Sequence, residues 1–206
     1  MLDLDSGSII VDNVDISTLP RQEVRSSLIA LPQDPFFLNG TVRLNADPME
    51  RCGDAEIKAA LRKVGLWDVV VEKGGLEVDM DAEFLSHGQR QLFCLARAMC
   101  RESTILVLDE ATSRYENPRH LYDIIRVLTC GLYNSVDSKT DQMMQKLIRK
   151  EFQGYTIIAV AHRLDNLMDF DKVVVLDKGA VVDFDGPVRL LERPSIFRDL
   201  YHASRV

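Results

Sequence analysis

The stretch that decides the fold runs from residue 105 to residue 113 and reads Ile105-Leu106-Val107-Leu108-Asp109-Glu110-Ala111-Thr112-Ser113. Its first four residues form a continuous apolar run, which is typical of a central strand covered on both faces of a sheet. Two acids follow directly. Ligands of open α/β sheets lie beyond the carboxyl ends of the strands, so the pattern predicts a site at Asp109 and Glu110. The same residues also fit a strand that simply runs into a turn.

Other short apolar runs on both sides of this strand alternate with amphipathic segments. Strands are predicted at Ser8–Val11, Ser27–Leu31, Thr156–Val160, Lys172–Leu176 and Ala180–Phe184. Helices are predicted at Asp54–Trp67, with Asp54 as the cap and Gly65 near the end, from Ser86 onward, and at Asp141–Phe152. Strands that alternate with helices predict the α/β fold class with a largely parallel sheet.

The segment that opens the second predicted helix carries a candidate phosphate site, and it reads Leu85-Ser86-His87-Gly88-Gln89-Arg90-Gln91. One interpretation is an ordinary helix cap, in which the Ser86 hydroxyl accepts from a backbone N–H two or three residues on. The other interpretation uses the same geometry. A serine hydroxyl, a glycine that permits close approach and N–H groups at a positive helix end together suit a phosphate.

Polar residues suited to phosphate chemistry end three of the predicted strands. Asp109 is a candidate to hold Mg²⁺, directly or through water, because this ion prefers oxygen ligands. Glu110 is a candidate to orient or deprotonate an attacking water. His162 could donate to a γ-phosphate, and Gln33 lies just past another strand. Taken alone, Gln33 fits an ordinary polar loop residue, and His162 fits a structural histidine.

Together and in this order, the four segments resemble the nucleotide-binding domain of ABC transporters. The resemblance is closest to the second such domain of the multidrug-resistance-associated exporters (subfamily C). Twenty positions separate Gln89 from Asp109, as the family requires, and an intact Glu110 favours the second domain because the first usually lacks this acid. Further stretches that carry the resemblance are Asp12–Leu19, Asn45–Pro48, Gly65–Asp68 and Gly88–Ala98.

The resemblance implies an ABC-type (RecA-like) P-loop NTPase core with a helical signature subdomain at about residues 45–100. It implies ATP and Mg²⁺ as cofactors and assigns a role to each candidate residue. The catalytic group is Glu110, His162 and Gln33, and the Mg²⁺ ligands are Asp109 and Gln33. The ATP of the opposite domain is contacted by Ser86, Gly88 and Gln89 of the signature and by Asp137 of the D-loop.

The implied partners are a second nucleotide-binding domain, which completes a sandwich dimer, and the transmembrane domains of an exporter. The expected location is the cytoplasmic face of a plasma or vacuolar membrane. In the family, the segment after Gln33 contacts coupling helices of the membrane domains, and Phe36 and Phe37 occupy that place here. The alternative for this aromatic pair is a place in the core.

One departure from the family is the absence of any Gly-Lys pair in the 206 residues. The family's Gly-x-x-x-x-Gly-Lys-Ser/Thr motif, Walker A, would lie shortly upstream of Met1. We therefore expect an N-terminally truncated domain without the Walker A strand, loop and helix. We also expect an unpaired gap in the sheet beside Ile105–Leu108 and weak or no ATP binding by this chain alone. Whether the chain is itself an ATPase stays open.

A second departure lies between Thr112-Ser113 and Ser135-Val136-Asp137, which are almost continuous in the family. Removing the 21 residues 114–134 would restore the family pattern. A natural surface insertion is one explanation, because loops tolerate insertions. Our hypothesis is a translated intron, which sequencing of the transcript across this segment would test.

Composition excludes some classes of function. Lys plus Arg number 25 against 32 Asp plus Glu, a net charge of −7, so no basic footprint for nucleic acid exists. This disfavours ABC ATPases of chromosome maintenance or translation. The four cysteines form no CxxC and are predicted to be packing residues, as is Trp67. Three functions remain: the ATP-hydrolysing motor of an exporter, a non-catalytic partner that donates its signature, and an inert gene-model or pseudogene fragment.

Overall fold

A computed structural model describes residues 4–32, 34–81, 83–109, 126–127, 138–160 and 164–204, with only the backbone at 109, 126–127, 138–139, 141 and 165–166. The strands within these residues are β1 (Ile10–Val11), β2 (Val14–Asp15), β3 (Ile29–Leu31), β4 (Ile105–Asp109), β5 (Arg126–Val127), β6 (Thr156–Val160), β7 (Val173–Asp177) and β8 (Ala180–Asp185). The α-helices are α1 (Arg21–Ser26), α2 (Val42–Ala46), α3 (Asp54–Lys63), α4 (Trp67–Glu72), α5 (His87–Met99), α6 (Ser138–Glu151), α7 (Pro187–Glu192) and α8 (Ile196–Ala203).

A parallel sheet in the order β3-β4-β6 positions the candidate site. Leu31 of β3 lies beside Leu108 of β4, and Asp109 of β4 lies beside Val160 of β6. The expected gap beside Ile105–Leu108 is therefore wrong. Strands β3 and β6 pair with the two edges of β4, and in the described part of the chain the unpaired edges belong to β3 and β6 instead.

The central strand is buried less evenly than its apolar run predicts. Leu106 and Leu108 are fully buried on one face, whereas Ile105 and Val107 on the other face are half-buried. Because side chains alternate between the two faces of a strand, the described residues cover one face of β4 completely and the other only in part.

The remaining strands are antiparallel. β1 and β2 form a hairpin whose turn residues, Asp12 and Asn13, both have positive φ, as a tight two-residue turn requires. β7 pairs with β8 through a turn at Lys178 and Gly179, and β5 pairs with the other edge of β7. The α/β fold class is confirmed, with the parallel strands confined to the β3-β4-β6 sheet.

The predicted helix over Asp54–Trp67 is two helices. Gly65 adopts φ +74°, and the N–H groups of Gly65 and Leu66 donate to the carbonyls of Arg62 and Leu61 at 3.0 and 2.8 Å. These bonds end α3 with a left-handed residue, and α4 begins at Trp67. Asp54 is not the cap. Gly53 holds the cap position, and its N–H donates to the Glu56 carboxylate at 2.7 Å.

Two hydrophobic cores hold these elements together. The larger core joins helices α2 to α6 with the β3-β4-β6 sheet, and most of the buried face of α5 belongs to it. Trp67 is half-buried against this core, with the Arg62 guanidinium 5.4 Å from its ring centre. The smaller core lies among β7, α7 and α8 and is built from Leu167, Val173, Val175, Leu190, Phe197 and Tyr201. None of the helices in the described part of the chain has the length and apolarity needed to cross a bilayer.

Candidate functional site

The carboxyl ends of three parallel strands lie at one edge of the sheet. β3, β4 and β6 run in the same direction and in register, so their last residues are neighbours. Gln33 comes two positions after the end of β3, Glu110 directly after β4, and His162 two positions after β6. Gln33, Glu110, His162 and Asp137 themselves lie outside the described residues, as does the side chain of Asp109. The sheet therefore brings together the strand ends that precede Gln33, Glu110 and His162 in the chain.

The turn at residues 85–89, hereafter the signature turn, is fully described. Ser86 is the N-cap of α5, and its Oγ accepts from the Gln89 N–H at 3.3 Å. In return, Gln89 Oε1 accepts from the Ser86 N–H at 2.9 Å, which completes a capping box. The predicted cap is confirmed. The first turn of a helix leaves N–H groups without intrahelical acceptors, and Gly88 lies in the first turn of α5.

Two further contacts brace the signature turn. Arg90 Nε donates to the Leu85 carbonyl at 3.0 Å and ties the helix back to the residue before its cap. The amide of Gln91, only 1% exposed, lies 3.2 Å from Nε2 of the His87 ring. Its other polar atom, Oε1, has no partner among the described residues. A buried glutamine thus orients a solvent-exposed histidine within the turn.

The segment of residues 34–40, hereafter the Phe36 segment, places one of its two aromatic residues in the core and the other at the surface. Phe37 packs in the core with its ring 5.5 Å from that of Phe93. Phe36 is 64% exposed and is a surface residue. Asn45, fully buried on α2, holds the segment: its side chain accepts from the Leu38 N–H at 2.8 Å and donates to the Leu38 carbonyl at 3.0 Å.

Arg97 links the Phe36 segment to α5. Its Nε donates to the Asn45 carbonyl at 2.6 Å and its Nη1 to the Phe36 carbonyl at 2.9 Å. The guanidinium also lies 5.3 Å from the ring centre of Phe37 and 5.9 Å from that of Phe93. Burial lowers the pKa of Arg97, and none of the described carboxylates lies within ion-pair distance of it.

Arg97, Asn45 and Gln91 are site-supporting residues that the sequence prediction missed. One signal for Arg97 was present in the sequence, since it lies four residues after Phe93 and is flanked by Ala96 and Ala98. This spacing puts it on the apolar side of α5. Asn45 and Gln91 carried no comparable signal, because a buried amide reads like any other polar residue.

The oxygen donors proposed for Mg²⁺, an aspartate and a glutamine, fit the chemistry that this ion prefers. Both side chains lie outside the described residues. Within the described part of the chain, no group of three His, Cys, Asp or Glu side chains converges in a way that could hold a metal.

The three described thiol groups belong to the larger core or pack against it. Cys94 and Cys100 are buried and Cys52 is half-buried, while Cys130 lies outside the described residues. The Cys52 Sγ donates to the Cys100 carbonyl at 3.0 Å. Burial raises the pKa of all three thiols, that of Cys100 to about 12. Their packing role is the one predicted.

Comparison with known proteins places this geometry in a family. The family model described as "ABC transporter" matches residues 1–113. The "ABC transporter atnG" of Emericella nidulans is 45% identical over 206 residues, covering all of this chain and 12% of that protein. The "ABC multidrug transporter B" of Aspergillus fumigatus is 45% identical over 205 residues, 99% of this chain and 13% of that protein. Mouse "ATP-binding cassette sub-family C member 10" is 38% identical over 208 residues, 100% of this chain and 12% of that protein.

A solved structure shows the same fold. The chain matches the structure of a bacterial Atm1-family ABC exporter with ATP bound at a TM-score of 0.78 and 24% identity, covering 99% of this chain and 33% of that chain. The chain spans about an eighth of the length of the curated relatives above, whose covered shares are 12% and 13%. Because the family model covers more than half of the chain and the relatives align along all of it, this chain belongs to the ABC transporter family.

Proposed function

We propose that this chain is a nucleotide-binding cassette whose ATP binding and hydrolysis power transmembrane export. The proposal is carried by the parallel pairing of β3, β4 and β6, whose carboxyl ends lie at one edge of the sheet. Gln33, Glu110 and His162 each follow one of these strand ends in the chain. Phosphoryl transfer relies on positioning and on stabilising charge, and a set of groups gathered at one edge supplies both.

The roles follow from the chemistry of each side chain. Asp109 and Gln33 would hold Mg²⁺, which neutralises charge on the phosphates. Glu110 would orient or deprotonate the attacking water, and His162 would donate to the γ-phosphate. Asp137 would act from the D-loop at the interface between two domains.

The signature turn would act on the ATP of an opposite domain. Gln89 Oε1 is engaged by the Ser86 N–H at 2.9 Å, so its first role is to fix the turn. Ser86 is exposed and Gly88 half-buried at the positive end of α5, a site suited to an anion.

The proposed organisation is a partial nucleotide-binding domain over residues 1–206, with a helical signature part at about 45–100 and a segment, 114–134, that departs from the family pattern. Its partners would be a second nucleotide-binding domain and the transmembrane domains of an exporter, at the cytoplasmic face of a plasma or vacuolar membrane. The exposed ring of Phe36 supports a contact with the membrane domains, because it presents apolar surface beside the site.

A second candidate function is a non-catalytic partner. It is favoured by the completeness of the signature turn, which acts in trans, in a sequence that contains no Gly-Lys pair. On this reading the chain hydrolyses little or no ATP alone yet completes the site of another protomer. The remaining alternative is an inert fragment.

Titrating the chain into an intact nucleotide-binding domain of a relative and measuring ATPase rate separates these functions. We expect the wild-type chain to raise the rate and the Ser86→Ala variant to lose most of that effect. Ser195→Ala is the matched control, because Ser195 also caps a helix: its Oγ accepts from the Arg198 N–H at 3.0 Å and donates to the Leu190 carbonyl at 2.7 Å. Its removal should therefore cost at least the roughly 1 kcal/mol of a lost helix cap.

Each outcome has a distinct meaning. Stimulation that survives Ser195→Ala but not Ser86→Ala supports the signature donor. Hydrolysis by the chain alone that is lost in Glu110→Gln supports a self-sufficient motor and contradicts the expected impairment. A folded chain that neither hydrolyses ATP nor stimulates its partner is the inert fragment.

A further inference from the structure

We infer that Arg97 is a positioning residue that joins the Phe36 segment to α5, so that the exposed Phe36 surface and the signature turn move as one body. The inference rests on the proposed function. In that function, a displacement of Phe36 by a partner protein would be passed through Arg97 to the signature turn, which contacts nucleotide.

The first support is the geometry of the guanidinium. One planar fork donates to the carbonyls of Phe36 and Asn45, at 2.9 and 2.6 Å, which lie nine residues apart in the chain. Its face lies against Phe37 and Phe93. Arginine can hold two acceptors in this way because its donors are fixed in one plane, whereas the lysine ammonium is a single point.

The second support is that packing alone does not favour an arginine here. Arg97 is half-buried without a described carboxylate partner, and its Nη2 is fully buried without any described acceptor. Burying a charged donor without a partner is costly, and an apolar residue of similar volume would avoid that cost. The arginine therefore supplies something that packing does not, namely a directional hold on two backbone carbonyls.

The third support is the path from Arg97 to the signature turn. Both lie on α5, eleven residues apart, which is about 16 Å along a continuous helix. At the other end of the link, Asn45 closes the Phe36 segment on itself through Leu38, Gly40 and Thr41. A closed loop clamped to a rigid helix transmits displacement, whereas a loosely attached loop would absorb it.

The test compares Arg97→Met, which keeps the length of the side chain, with Arg97→Lys, which keeps the charge. Arg101→Met is the matched control, because Arg101 lies just past the same helix and Nη2 donates to one carbonyl, that of Arg25, at 3.3 Å. Two readouts are made on the full chain: amide hydrogen exchange, and the titration of ATPase stimulation described above.

In both Arg97 variants we expect the amide hydrogens of residues 36–46 to exchange at least about tenfold faster than in the wild type. The exchange rates of the amides in β7 and β8 should not change. We expect the plateau of stimulation to fall at least about tenfold at an unchanged half-maximal chain concentration, because the turn is misplaced but still present. Arg101→Met should match the wild type in both readouts.

A purely structural role gives a different pattern. Partial unfolding lowers the concentration of competent chain, so it would raise the half-maximal concentration and leave the plateau intact, which overturns the inference. Exchange of residues 36–46 at the wild-type rate in Arg97→Met, or a full rescue by Arg97→Lys, also overturns it. If the wild-type chain gives no stimulation, the proposed function has failed. Hydrogen exchange then tests the Arg97 link by itself. Faster exchange confined to residues 36–46 in the Arg97 variants supports the link, and exchange at the wild-type rate overturns it.

Discussion

Buried amides at the residue scale hold the backbone next to the candidate site. Asn45 bonds both the N–H and the carbonyl of Leu38 and donates to the carbonyl of Thr41 at 3.1 Å. These groups belong to a segment that makes no helix or strand of its own, so the asparagine replaces the ladder that a regular element would supply. The position of Phe36 thus depends on one side chain of α2 and one of α5.

Asn45→Ala is expected to lower the free energy of unfolding by about 1–3 kcal/mol, because the N–H and the carbonyl of the half-buried Leu38 lose their side-chain partner. Denaturant unfolding of the chain measures this change. The matched control is Asn39→Ala in the same segment, where the residue is exposed and the change should stay within about 0.5 kcal/mol. Equal midpoints for the two variants would contradict the role given to Asn45.

The three described thiols are expected to be poorly reactive in the folded chain. Their raised pKa values, about 12 for Cys100, leave little thiolate near neutral pH, and the thiolate is the reactive form. In a Cys130→Ser variant, a thiol-specific chromogenic reagent at pH 7.5 should label Cys94 and Cys100 far more slowly than the same thiols in denaturant. Equal native and denatured rates would contradict the packing described.

At the scale of elements, local sequence signals predicted the strands of the parallel sheet and the N-cap of α5. They did not predict the break between α3 and α4 or the order of the strands. The apolar runs of β3, β4 and β6 and the serine that opens α5 follow from neighbouring residues alone. The break between α3 and α4 does not follow from the pattern of apolar residues, because this pattern continues in helical phase through Gly65. The left-handed conformation of Gly65 interrupts the helix. The predicted gap beside β4 was wrong, because parallel strand pairing joins residues far apart in the chain.

The candidate site divides in the same way. Ser86 caps α5 as the sequence predicts, since a helix cap is a local pattern, whereas the reciprocal bond of Gln89 was not predicted. Arg97 and Asn45 escaped prediction because their partners are backbone carbonyls and amides, which leave no mark on composition. The roles of Gln33, Asp109, Glu110, Asp137 and His162 stay predictions.

An ion-pair network links the start of α3 to its surroundings and should affect acid stability. Asp54 pairs with Arg43 and with Lys58, and Arg43 also pairs with Glu77 at 2.7 Å. Hydrogen bonds from Arg43 and Lys58 lower the pKa of Asp54 from 3.8 to about 2. A lowered pKa in the folded state gives stability that is present above the unfolded value, near 3.8, and is lost as the pH falls toward about 2.

Asp54→Asn should therefore flatten the pH dependence of unfolding between about pH 4 and pH 2. Because the pair is exposed, the effect should be small and should shrink further in high salt. Thermal unfolding across this pH range measures it, with Asp68→Asn, an exposed acid in the first turn of α4, as the control. A variant whose pH profile has the wild-type slope would contradict the contribution assigned to Asp54.

For the whole molecule, the described residues form two cores that serve different parts of the proposed function. The larger core fixes α5, and so the signature turn, against the sheet whose carboxyl edge carries the candidate catalytic segments. The smaller core packs α7 and α8 on β7. Under the proposed function this chain, which spans about an eighth of the length of its relatives, would act through its contacts with a second cassette.

The most direct test of that claim is sedimentation of the chain mixed with an intact nucleotide-binding domain whose catalytic glutamate is changed to glutamine, with and without ATP and Mg²⁺. Blocked hydrolysis would hold the ATP sandwich closed. We predict a one-to-one complex that forms only with ATP, is lost in Ser86→Ala and persists in Ser195→Ala. Absence of a complex with a folded chain, or a complex that forms equally without ATP, would contradict the proposal that the signature turn binds nucleotide.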